Sequence, residues 1–302
     1  VTLLGLLLLF AIVGAMPDVE SHPVVDGSVL VVDLTLPVMD NPKPAGLDSL
    51  FGQSSPSDSA PLHSMLTSIR LAASDSRIVG LYMTGSVGST GWANLRAIRA
   101  ALVDFAATGK PILSYFSLYD ERALYLSSVG GTAYIPPFHE VDLGGFSAEI
   151  NYYGEAFRRY GVEVQVTRVG KYKSAVEPYL LDKMSAENRE QLQTLLGDLF
   201  ADCLQSIADS RQIELADLQA VVEGRGVLTG AEAMDLGLIQ GVRYEEQVAA
   251  ELRKWTDEED WEEAGRYDYE QIWLSDYQEA EFEEDDRVDG ATVAVIYAEG
   301  EI

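Results

Sequence analysis

Between residues 28 and 129 the chain switches repeatedly between two hydrophobic periods, and that switching restricts the fold more than any other feature. Residues 28–36 (SVLVVDLTL) form a β-branched run of the kind a buried strand carries. A loop with Pro37, Pro42, Pro44 and Gly46 follows. Residues 62–73 then read as helix, 78–84 as strand, 92–107 as helix, 111–116 as strand and 121–129 as helix. Strands alternating with helices imply parallel strands joined by crossover helices, an α/β architecture. In the second helix Leu95, Ile98, Leu102 and Phe105 make one apolar stripe, which leaves Arg96, Arg99 and Asp104 nearer solvent. Such a stripe is a core face and not a cofactor box.

Further along, Val162, Val164 and Val166 alternate with Glu163, Gln165 and Thr167, the period of a half-buried strand. Ser185 is placed to cap a long helix whose Leu192, Leu195, Leu196, Leu199, Cys203 and Ile207 share one side, so packing is the expected role of Cys203. Residues 229–242 (TGAEAMDLGLIQGV) predict a short helix ending at Gly237 and a return strand. One domain is therefore expected over residues 28–255.

The flanks differ. Residues 1–16 (VTLLGLLLLFAIVGAM) carry no charge. A bilayer span takes about 20 apolar residues, so this run is several short, and it opens with Val instead of Met. We expect a truncated membrane anchor; the alternatives are a cleaved signal peptide, with Val13 and Ala15 before Pro17, and a buried core helix. Residues 256–289 are strongly acidic yet hold Trp261, Tyr267, Tyr269, Trp273, Tyr277 and Phe282, which predicts a linker that packs in places. Residues 290–302 (GATVAVIYAEGEI) echo residues 27–40 (GSVLVVDLTLPVMD). A glycine, a β-branched strand and a polar exit recur there. The echo is expected to open a further carboxy-terminal domain, since a lone strand has nothing to pair with; a chance echo is the alternative.

Composition excludes several chemistries. With 49 acidic against 21 basic residues, net -28, the chain is a poor partner for nucleic acid, which is gripped through clustered Lys and Arg. A saline habitat and simple solubility both suit that charge. A single cysteine, Cys203, precludes an internal disulfide framework and a thiolate-rich metal cluster. His22, His63 and His139 lack the spacing that puts two imidazoles on one helix face, so neither metal nor cofactor is expected. No Gly-x-Ser-x-Gly elbow occurs, and the scattered histidines offer no Ser-His-Asp triad. Residues 85–91 (GSVGSTG) stand where backbone N–H groups receive anions, but they lack the lysine of a phosphate loop and read as a tight strand-to-helix turn.

What remains is residues 169–178 (VGKYKSAVEP). Lysine works as a general base when burial makes its ammonium form costly and pulls the pKa from about 10.4 toward neutrality. Tyr172, Ala175 and Val176 are candidate apolar walls. A loop lysine is ordinarily a solvated charge, however, and composition does not separate Lys171 from Lys173.

The run GKYKSAVEP, followed by LLDKMSAENRE, closely resembles the lysine segment of the signal peptide peptidase A family, serine peptidases with a Ser/Lys dyad. The likeness extends to residues 142–178, to residues 228–240 (LTGAEAMDLGLIQ), to the amino-terminal apolar run and to the repeated strand. It implies that Lys173 is the general base and that the domain has the ClpP/crotonase-type fold. It further implies that the nucleophile lies in a second domain, in a Ser-Gly-Gly setting this sequence does not contain. At the corresponding place here stand Tyr119, Asp120, Glu121, Arg122, Ala123 and Leu124, so the chain alone is expected to be inactive. The implied whole protein is a membrane-bound serine endopeptidase, homo-oligomeric, degrading hydrophobic peptides such as cleaved signal peptides on the extracytoplasmic side of a bacterial inner membrane. The alternative is a catalytically silent peptide-binding or assembly domain of crotonase-like fold; an acyl-CoA enzyme is more distant, because the amino-terminal apolar run counts against it.

Overall fold

The computed structural model describes residues 23–40, 59–256 and 269–282. Its elements run β1 (Ser28–Asp33), β2 (Val38–Met39), β3 (Ala60–Pro61), α1 (Leu62–Ser74), β4 (Ile78–Gly85), α2 (Trp92–Ala106), β5 (Ile112–Phe116), α3 (Glu121–Ser127), β6 (Thr132–Ile135) and β7 (Glu140–Asp142). Then come α4 (Gly154–Tyr160), α5 (Glu177–Leu180), α6 (Ala186–Arg211), α7 (Leu215–Glu223), β8 (Val227–Thr229), α8 (Gly230–Asp235), β9 (Gly241–Val242), α9 (Glu245–Trp255), β10 (Gln271–Trp273) and α10 (Leu274–Phe282).

A six-stranded sheet in the order β10-β1-β4-β5-β6-β9 organises the molecule, and its ladders are all parallel. That is the α/β arrangement expected from the alternation, with α1, α2 and α3 as the crossovers between β1, β4, β5 and β6. Pleating sorts each strand's side chains onto two faces. Leu30, Val32, Leu81, Met83 and Phe116 enter a large core beneath α1, α2 and the carboxy-terminal half of α6. Val29, Val31, Tyr82, Leu113 and Tyr134 enter a smaller one, which Val248 and Leu252 of α9 cover. Burial on both faces is why β1 reads as a continuous apolar run and not as an alternating one.

Several details follow the sequence. The α2 stripe of Leu95, Ile98, Leu102 and Phe105 is buried, and so is Cys203. Ser185 caps α6 by accepting the Asn188 N–H, and Gly237, at φ 83°, turns the chain out of the short helix α8 toward β9.

Others depart from it. Arg99 is 8% exposed, not nearer solvent. It lies four residues after Leu95 and three before Leu102, on the apolar face itself. Its guanidinium is tolerated there because acceptors surround it: the Tyr125 carbonyl, Ser128 Oγ at 2.9 Å, the Ser206 carbonyl at 2.8 Å and Ser210 Oγ at 2.7 Å. Residues 162–169 form no strand. Val162 is 50% exposed while Val164 and Val166 are half-buried, and no neighbouring strand among the described residues receives their backbone groups. Helix α6 has 26 residues and is longer than the face it covers. Leu204 and Ile207 are buried, whereas Leu195 is 54% exposed and Leu192, Leu196 and Leu199 are half-buried.

Within the acidic stretch 256–289, Gln271–Trp273 pairs with β1 as an edge strand, and the buried Tyr277 donates its hydroxyl to Asp75 Oδ2 at 3.0 Å. The apolar run 1–16 and the echo 290–302 lie outside the described residues. Among the described residues no helix is long and apolar enough to cross a membrane.

Candidate active site

The lysine segment is a turn tied at both ends. Gly170, at φ 94°, supplies the left-handed residue that starts it. The Lys173 N–H points to the Gly170 carbonyl at 3.5 Å, and the Glu177 N–H donates to the Ser174 carbonyl at 2.9 Å as α5 begins. Pro178 sits in the first turn of α5, where a missing N–H costs nothing. Its carbonyl accepts the Tyr153 N–H at 2.7 Å, and Gly154 lets α4 approach so closely that a Cβ there would stand 2.6 Å from the Leu181 carbonyl oxygen. The start of α4 is therefore packed against α5, where the turn ends.

The two lysines differ in surroundings. Lys171 holds its ammonium 4.9 Å from the Tyr172 ring centroid, a cation–π contact. Lys173 is exposed, and among the described residues no hydrogen bond or ion pair engages its Nζ. Tyr172 and Ala175 are exposed and Val176 is half-buried, so these side chains do not shut Lys173 off from water. Behind the turn, between it and the first half of α6, runs a groove of about 600 Å³ lined by Tyr172, Ser174, Asn188, Leu192, Leu195 and Asp198.

Glu177, which sequence reasoning did not single out, is 1% exposed. Its Oε1 accepts Ser185 Oγ–H at 2.6 Å, its Oε2 accepts the Ser185 N–H at 3.2 Å, and Arg168 Nη1 stands 3.8 Å from Oε1. The same Arg168 Nη1 donates to the Lys173 carbonyl at 3.2 Å. A signal was available: a carboxylate sits beside Val176 and Pro178, eight residues before the Ser185 cap.

Residues 119–124 occupy structural roles. Tyr119 is fully buried, which pushes its phenol pKa up, and its hydroxyl donates to the Ser114 carbonyl at 3.2 Å. Asp120 caps α3 through the Ala123 N–H at 2.9 Å. Glu121 accepts the Gly145 N–H at 2.7 Å, and burial raises its carboxyl pKa above the usual range. Residues 86–91 connect β4 to α2 as irregular backbone with a bend at Ser89, not as the expected tight turn. Gly85 has φ 89°, and Thr90 Oγ1 is taken by the Val38 N–H at 2.9 Å.

Comparison with known proteins bears directly on this turn. Residues 104–258 match the family described as Peptidase family S49. "Protease 4" of Salmonella typhi is 30% identical over 266 residues, 84% of this chain and 41% of that protein. "Serine protease SPPA, chloroplastic" of Arabidopsis thaliana is 31% identical over 183 residues, 61% of this chain and 27% of that protein. "Protease 4" of Haemophilus influenzae is 35% identical over 117 residues, 39% of this chain and 19% of that protein. The chain thus spans less than half the length of each of these relatives. Because the matched residues take in α3, the lysine turn, its Ser185 anchor and the helix that Thr229 caps, the chain belongs to peptidase family S49, the family of the signal peptide peptidase A proteins.

Proposed function

We propose that the full protein is a serine endopeptidase in which Lys173 is the general base. Membership of a peptidase family and relatives named as proteases support the serine-peptidase part of this reading. The observation that carries the residue assignment is local: Lys173 presents an uncommitted amine on a turn tied at both ends, whereas Lys171 is stacked on Tyr172. We read the fold as the ClpP/crotonase type, supported by the parallel sheet and its helical crossovers.

In this mechanism a serine presented from outside the described residues docks over the turn. Docking removes Lys173 from water, and a desolvated amine favours its neutral form. The amine takes the serine hydroxyl proton as the oxygen attacks a peptide carbonyl; the carbon–nitrogen bond breaks, the proton passes to the leaving amine, and an acyl-enzyme remains for water to hydrolyse. The proposed substrates are hydrophobic peptides such as cleaved signal peptides, met by a homo-oligomer anchored at the extracytoplasmic face of a bacterial inner membrane.

In the full-length protein Lys173→Ala should lower kcat/KM by at least about a hundredfold, the usual share of a general base, while Lys171→Ala stays within a few-fold. Wild-type activity in Lys173→Ala ends the assignment. The solvent-open setting of Lys173 favours a second reading, a catalytically silent peptide-binding or assembly domain. On that reading the substitution leaves activity intact and alters only self-association.

A further inference from the structure

We propose that Glu177 is a positioning residue: its buried carboxylate, closed on Ser185 and Arg168, fixes the backbone from which Lys173 reaches the reacting serine. The inference rests on the reading of Lys173 as general base.

A carboxylate this deeply buried is retained only where donors compensate its lost hydration. Two hydrogen-bond donors and one counter-charge converge on it, from two sides of the lysine turn. Ser185 gives its hydroxyl at 2.6 Å and its backbone N–H at 3.2 Å, and Arg168 brings a guanidinium nitrogen to 3.8 Å. Arg168 precedes the turn, Glu177 closes it, and Ser185 is the cap of α6. The Arg168 nitrogen that faces Glu177 also holds the Lys173 carbonyl at 3.2 Å, and the Glu177 N–H holds the Ser174 carbonyl at 2.9 Å. The main chain of Lys173 and Ser174 is thereby gripped at two successive carbonyls. Among the described residues nothing joins Glu177 to the Lys173 ammonium, so its action runs through the backbone and not through the proton.

Glu177→Gln is the discriminating change. The amide fills the same space and retains one acceptor, but its NH2 group then faces one of the two Ser185 donors, and the attraction to Arg168 is lost. A loosened general base displaced by about 1 Å costs on the order of a hundredfold in rate. We expect kcat of the full-length protein to fall tenfold to a hundredfold, with KM within about twofold and the melting temperature lowered by about 2–8 °C, since one buried donor is left opposed. Hydrogen exchange at the Lys173 and Glu177 amides should quicken while core amides stay protected. Ser185→Ala should repeat the loss of kcat, and Ser185→Thr, which keeps the hydroxyl, should recover most of it. In a Lys173→Ala background Glu177→Gln should cost nothing further.

Wild-type kcat in a folded Glu177→Gln overturns the proposal, and so does a full additional loss in the Lys173→Ala background. Should Glu177→Gln fail to fold, the Ser185→Ala and Ser185→Thr pair decides in the same way. If Lys173→Ala proves fully active, the general-base reading fails on its own account, and hydrogen exchange still reports whether Glu177 holds the turn.

Discussion

Glu121 shows how one side chain carries a fold's pH dependence. Burial, followed by the nearby charges of Asp142 and Asp120, raises its carboxyl above the ordinary value of 4.5, although it accepts hydrogen bonds from the backbone. The folded protein therefore holds this proton more tightly than the unfolded chain does. Its contribution favours the fold fully below pH 4.5 and is lost as pH rises through the elevated folded value. Glu121→Gln keeps an acceptor for the Gly145 N–H and removes the buried charge. It should raise the melting temperature at pH 7, with the advantage shrinking toward pH 4 in a calorimetric series; equal melting at pH 7 refutes this account. Cys203, whose Sγ lies 3.8 Å from the Glu121 carbonyl oxygen, is pushed up to about 12 by burial and is a packing residue, as its place in a leucine stripe foretold. Arg99 and Glu177 were not foretold. Periodicity counts hydrophobicity, and a charged residue on an apolar face is invisible to it unless the acceptors brought by other elements are known. Lys173 was singled out by a motif, because spacing alone left it level with Lys171.

At the scale of elements, helix α9 seals the smaller face of the sheet through a close approach at Gly80. A Cβ on Gly80 would lie 2.7 Å from Trp255 Cε3 and 3.1 Å from the Pro111 carbonyl oxygen. Gly80→Ala should accordingly destabilise the protein by about 1–3 kcal/mol through overpacking. Chemical denaturation measures this, and Trp255→Ala in the same background should return part of the loss. The strands β1, β4 and β5 and the helices α1, α2 and α3 are legible because their apolar runs are long and both faces of the sheet are covered, whereas the four-residue β6 and the two-residue β2 and β3 are too short to show a period. The Val162, Val164 and Val166 alternation was misleading for a physical reason. It marks which face is apolar but does not supply the neighbour whose N–H and C=O groups make a ladder. Gln271–Trp273 escaped notice from the opposite cause: three residues in an acidic stretch show no period, yet they add an edge to β1.

For the molecule as a whole, a net charge of -28 over 302 residues means that folding concentrates mutually repelling carboxylates. Added salt screens that repulsion over about 10 Å at 0.1 M. The melting temperature should therefore climb as sodium chloride rises from roughly 0.01 to 1 M, the range over which the screening length shrinks from about 30 to 3 Å. A flat response would mean that the charges are already balanced locally. The helix α6 bears on the molecule in another way. Its 26 residues make a rod about 39 Å long. Near its carboxy-terminal end Arg99 grips Ser206 and Ser210, and Arg211 reaches the Ser127 carbonyl at 2.8 Å. Its opposite end carries the Ser185 hydroxyl that seats the turn. Such a rod is a lever with its fulcrum in the core: a tilt of about 5° near Ser206 sweeps the far tip through nearly 3 Å at about 1.5 Å of rise per residue. Repacking around Arg99 would thus be magnified at the lysine, which ties the reach of a surface amine to how firmly a distant guanidinium is bedded.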